Sequence, residues 1–125
     1  VYLAGPPSME AEADRERVVG INEEELKVPG CISRHMEDSG LPLYISLDKD
    51  ILNRSCAVTN WDQGETQLED VLACIKEAAS CRGIIGVDVC GEEPEQEGIR
   101  ASQINQNTNR EIICKLMEVC GILCP

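Results

Sequence analysis

The sequence predicts an α/β fold with a mostly parallel sheet, and three features carry that expectation. Leu43–Asp48 and Gly83–Val89 are apolar runs of strand length. Between them Leu68, Val71, Leu72, Ile75 and Ala79 recur at helical spacing over about four turns. Strand, long helix, strand implies a parallel crossover connection. The 125 residues suffice for one core, so 1–125 is read as a single α/β domain.

Each element follows from local chemistry. Val1–Gly5 is a short strand stopped by Gly5-Pro6-Pro7. Ser8–Arg17 is acidic and polar, an exposed helix or a loop. Val18–Ile21 is a second short strand, after which Asn22 is suited to cap Glu23-Glu24-Glu25-Leu26. Pro29-Gly30 ends that turn. Cys31–Ser39 reads as a brief helix, with Ile32 and Met36 one turn apart and Gly40 as terminator. His35, within it, reads as a surface histidine.

Pro42 leads into the central strand, Leu43–Asp48. Its apolar residues fall on both parities, which predicts burial on both faces. Asn53–Gly64 is a polar loop. Thr66-Gln67-Leu68-Glu69 has the form of a capping box opening a helix that runs to about Ser80. Gly91–Gly98 is an acidic loop, and Asn105–Asn109 reads as a polar turn. Thr108 and Glu111 form a second capping box, opening a last helix whose apolar face is Ile112, Leu116, Val119 and Cys120. Gly121 ends it, and the tail Ile122–Pro125 is expected against the sheet.

Composition narrows the function. With 23 acids against 11 bases the net charge is -12, which repels nucleic acid and anionic membrane surfaces. The N-terminus has no secretory leader pattern and no apolar run is long enough to span a bilayer, so the expected location is the cytoplasm. The eight cysteines include no C-x-x-C and stand beside one histidine, which argues against structural zinc. They are expected to be reduced and to act as small hydrophobes, with Cys120 and Cys124 exposed enough to oxidise. Val1 falls inside an apparent strand, which reads as a piece of a longer chain rather than a processed start.

The chemistry is expected where strands end. Residues i and i+2 of a strand share a face, roughly 6–7 Å apart, so Asp48 and Asp50 can reach one ion or two neighbouring ions. Asp88 lies near the end of the next strand. If the two strands are adjacent, all three acids share the edge where open α/β sheets bind ligands. Oxygen donors suit Mg²⁺ or Mn²⁺. The alternative is structural: Lys49 neutralises an acid, or Asp50 or Asp88 caps a turn or helix.

Ser46-Leu47-Asp48-Lys49-Asp50-Ile51-Leu52-Asn53 resembles the S-F-D-x-D-x-x-D-P signature of the arginase/agmatinase (ureohydrolase) family. Gly86-Val87-Asp88-Val89-Cys90-Gly91-Glu92-Glu93-Pro94 is similar to that family's later G-x-D-x-x-E-x-x-P stretch. The likeness covers Leu41 to the last helix, the C-terminal half of such an enzyme. It implies a three-layer α/β fold and a two-manganese centre whose hydroxide attacks the carbon of a guanidino or amidine substrate. Asp48 and Asp50 are then metal ligands, and Asp88 and Glu92 stand beside the site. The family's third acid is Asn53 here and its proline is Arg54. The glutamate that would hold a guanidinium falls on Gly91, with Glu92 one residue away. The upstream D-x-H-x-D cluster and a further histidine do not occur in these residues, and His35 stands in no such cluster.

Two other readings remain. Asp48 to Leu52 loosely matches the D-x-D motif of haloacid-dehalogenase-like phosphatases, with Asp48 as nucleophile, Asp50 as acid/base and Mg²⁺ between them. Or the chain is a non-catalytic acidic α/β domain whose aspartates serve turns and caps.

Overall fold

The computed structural model describes residues 2–4, 19–36, 40–60, 63–91 and 99–122, with the backbone alone at 2–4 and 99–102. The elements are β1 (Tyr2–Ala4), β2 (Val19–Ile21), α1 (Glu23–Leu26), α2 (Cys31–His35), β3 (Leu43–Asp48), a 3-10 turn (Lys49–Ile51), α3 (Leu68–Cys81), β4 (Ile84–Cys90) and α4 (Ile99–Val119). β1 pairs with β2 and β3 with β4, both in parallel. The α/β class and the β3–α3–β4 crossover expected from the sequence are therefore present.

The main core lies where one face of the β3–β4 sheet meets α3 and α4. Leu47, Leu52, Ala57, Leu68, Val71, Ile75 and Ile112 are buried together there, with Ile45, Leu72, Leu116 and Val119 packed against them. A second cluster of Ile21, Leu26 and Cys31 joins β2, α1 and α2 to Cys74 of α3. The Asn22 cap forms as expected: its Oδ1 accepts from Glu25 N–H at 3.0 Å, and Glu25 accepts from Asn22 N–H at 3.1 Å. Gly121 (φ +71) ends α4, with its N–H on the Glu118 carbonyl and Ile122 N–H on Met117.

Four expectations are corrected. β3 is not buried on both faces, because Tyr44, Ser46 and Asp48 are exposed and only the other parity packs on helices. α3 is capped at Gln67 without a side-chain bond, so the Thr66–Glu69 capping box does not form. The last helix starts at Ile99, not at Thr108. Thr108 and Asn105 are buried inside that helix, because loop carbonyls and amides satisfy them better than a turn would. Cys114 is disulfide-bonded, whereas Cys31, Cys56, Cys74, Cys81, Cys90 and Cys120 are free. Cys124 and the tail 123–125 lie outside the described residues, and Ile122 is exposed. So do all of Ser8–Arg17 and the loop 92–98.

Candidate functional site

The parallel register sets the outer face of the β3–β4 sheet. Tyr44 lies opposite Gly86, Ser46 opposite Asp88, and Asp48 opposite Cys90. Strand alternation turns these side chains to the same side, away from the helices. Ser46 Oγ donates to Asp88 Oδ1 at 2.8 Å. Tyr44 also bonds Asp88, and that bond and the carboxylate charge hold its phenol above the ordinary value. The Tyr44 ring covers Gly86: a Cβ there would come within 2.6 Å of the ring. A glycine at that position leaves room for the tyrosine to reach Asp88.

Asp48 and Asp50 are not related by the strand pleat. β3 ends at Asp48, and Lys49–Ile51 form a 3-10 turn. Asp48 caps that turn, its Oδ1 accepting from the Asp50 N–H at 3.1 Å. The turn, rather than a two-residue strand repeat, places Asp50 after Asp48, and the bond between them comes from the Asp50 backbone. Gly91 follows β4 with φ +82, and a Cβ there would lie 2.1 Å from Asp48 Oδ1. A side chain at Gly91 would also meet the Lys49 backbone nitrogen, 2.9 Å from the added Cβ. Burial first, then the charges of Asp48 and Asp88, push the Cys90 thiol up; Asp50 adds a smaller contribution.

The residue between the two aspartates goes the other way. Lys49 is 1% exposed and its Nζ donates to Asn109 Oδ1 of α4 at 2.9 Å. One turn earlier, Asn105 grips the loop after the signature: its Oδ1 accepts from Val58 N–H at 2.8 Å and its Nδ2 donates to the Val58 carbonyl at 3.0 Å. Thr108 donates to the Cys56 carbonyl. Positions 105, 108 and 109 share one helical face. Their i, i+3, i+4 spacing was the available signal, hidden because asparagine-rich segments also make turns.

The rest of the loop is held by its own polar groups. Asn53 Oδ1 accepts from Ser55 N–H at 3.0 Å and from Ser55 Oγ at 2.6 Å, so Asn53 closes a turn. Gln63 donates to the Leu52 carbonyl. Gly64 lies against the Ile51 backbone, where a Cβ would be 2.1 Å from its carbonyl oxygen.

Donor chemistry at this edge fits a hard divalent ion in type but not in number. The acids offer oxygens, yet Asp48 Oδ1 caps the 3-10 turn and Asp88 Oδ1 accepts from Ser46. Among the described residues, no group of three or more His, Cys, Asp or Glu side chains is arranged to hold a metal. His35 is carried by α2, which packs on α1 and α3. Glu92 lies outside the described residues. No described helix is long and apolar enough to cross a membrane.

No family model matches the sequence, and no solved structure matches it. Among curated proteins the chain is similar to an uncharacterized protein of Thermotoga maritima, 32% identical over 90 residues. The match covers 72% of this chain and 33% of that protein, so the aligned segment is about a third of the relative's length.

Proposed function

We propose that this chain forms part of an arginase-like, metal-dependent hydrolase acting in the cytoplasm on C–N bonds of a small guanidino or amidine substrate. The observation that supports it is the placement of Asp48 at the C-terminal end of β3, with Asp50 in the turn that follows and Asp88 opposite Ser46 on the neighbouring parallel strand. Carboxylates at that edge of an α/β sheet lie where ligands are bound. Asp48 and Asp50 would hold Mn²⁺ or Mg²⁺, with further donors supplied from outside these residues. A bound ion of this kind supplies Lewis acidity and a water of lowered pKa.

The chain's own residues have definable work in this reading. Asp88 positions Tyr44 and Ser46 on the outer face. Lys49 anchors the carboxylate turn to α4. Gly91 leaves Asp48 room to stand at the edge. The uncovered outer face would be closed by further helices of an arginase-like three-layer fold.

The test is hydrolysis of a panel of guanidino and amidine compounds by the full-length protein with added Mn²⁺, and calorimetric titration of Mn²⁺. Asp48→Asn should abolish turnover, and Asp48→Ala with Asp50→Ala should weaken Mn²⁺ binding about a hundredfold. No turnover together with unchanged Mn²⁺ affinity would remove this reading.

One observation favours a second reading. Asp48 caps a turn and Asp88 accepts from Ser46, the bonds expected of structural acids in a non-catalytic domain. In that case the double substitution alters stability alone.

A further inference from the structure

Cys31 and Cys74 are 43 positions apart in sequence, yet their sulfurs lie 3.7 Å from each other. Gly30, at φ +82, turns the chain into α2. Cys31 opens that helix and is fully buried, while Cys74 sits mid-way along α3 and is half-buried. Ser33 N–H donates to Glu77 at 2.7 Å, which holds α2 on α3 beside the two sulfurs, and Cys74 Sγ donates to the Leu26 carbonyl at the end of α1 at 3.6 Å.

A disulfide needs sulfurs at about 2.05 Å. Closing the remaining gap of roughly 1.7 Å takes a side-chain rotation and a small shift of a helix only five residues long. We propose that Cys31 and Cys74 are a redox modification site, a dithiol that closes to a disulfide and ties α2 covalently to α3. The oxidant is a small-molecule disulfide. One cysteine loses its proton to water and its thiolate attacks the small disulfide, whose S–S bond breaks to release one small thiolate. The second cysteine, likewise deprotonated, attacks the first cysteine's sulfur in that mixed disulfide; the bond from that sulfur to the small group breaks, the protein S–S bond forms and the other small thiolate leaves. The two protons end on the two small thiols; the protein gives up two electrons and the oxidant takes both.

Cys74 has the solvent access and so reacts first. Burial, then Cys31 on α2 and the Glu77 and Asp70 carboxylates on α3, push its thiol up to about 12. The thiolate is rare at neutral pH, so the pair responds slowly and its closure accelerates about tenfold per pH unit. Exposure alone would send oxidation elsewhere, since Cys81, Cys90 and Cys120 are free and exposed. Proximity directs it to the buried pair as a cross-link.

The test uses folded full-length protein in graded mixtures of oxidised and reduced glutathione, followed by alkylation and peptide mapping by mass. The expected result is a Cys31–Cys74 cross-linked peptide, reversed by dithiothreitol, with single glutathione adducts on Cys81, Cys90 and Cys120. Amide exchange in residues 31–36 should slow about tenfold in the cross-linked form. The proposal is overturned if Cys31 and Cys74 stay alkylatable, or carry only single adducts, at every ratio that modifies Cys81. It is equally overturned if, at equilibrium, the cross-link withstands reduced glutathione no better in folded than in urea-unfolded protein. Because the mapping is done on the unaltered protein, it does not depend on a cysteine variant folding.

Discussion

The end of β3 has an outer side and an inner side, and they are built differently. Outside, Tyr44, Ser46, Asp48 and Asp88 are exposed and bond mainly to one another and to the adjacent turn. Inside, Lys49, Asn105 and Thr108 are at most 5% exposed and are tied to loop backbone or α4. A buried polar group must keep its hydrogen bonds or lose its desolvation energy uncompensated. An exposed carboxylate can give up its bonds to water at little loss. The inner side therefore carries stability, and the outer side is where a ligand could be exchanged for an internal bond without unfolding the protein.

Lys49→Ala is the strongest challenge to that contrast. It removes a buried stem and leaves Asn109 facing a cavity, so it should destabilise by about 3 kcal/mol in urea unfolding. Lys49→Met, which restores the stem, should lose about half as much. Gly91→Ala comes next, at about 2–3 kcal/mol, because the added Cβ meets Asp48 in a left-handed backbone conformation. Asn105→Ala, which strips both bonds from Val58, should lose about 2 kcal/mol by the same measurement.

The outer side should respond less. Asp48→Ala, which removes the cap on the 3-10 turn, is expected to lose about 1 kcal/mol. Asp48→Asn keeps an accepting oxygen and should stay within about 0.5 kcal/mol of the parent. A loss for Asp48→Asn as large as for Lys49→Ala would break the comparison. The smallest effect is a pH dependence. Tyr44 has a folded pKa above its unfolded value, so its contribution to stability is complete below the ordinary phenol range and is lost as pH rises through the folded pKa. Ultraviolet titration should place Tyr44 above an ordinary tyrosine, and Asp88→Asn should bring it back.

Much of the fold was legible because its signals are local. The Asn22–Glu25 cap, the apolar run of β3 and the spacing of Leu68, Val71 and Ile75 depend on residues within a turn or two of each other. The candidate site was legible in part. The adjacency of the two strands puts Asp48 and Asp88 on one face, with Asp88 opposite Ser46 and two residues short of the end of β4, while Asp50 lies in a turn and not on the pleat. Thr66 misled by one position, since the cap of α3 falls on Gln67, and Thr108 misled because it lies inside α4, where a capping signal has no helix start to serve.

By itself the sequence determined the types of the main strands and of α3, the acidic character, the parallel β3–α3–β4 unit and the presence of carboxylates at the end of β3. Tertiary structure alone decided that Lys49 is buried on α4 while Asp48 stays in solvent, that Gly91 must lack a side chain, and that Cys31 meets Cys74. The reason is range. Periodicity and capping report the chain's neighbours along itself, whereas burial, steric exclusion and sulfur proximity depend on segments 42 to 60 residues apart being packed together.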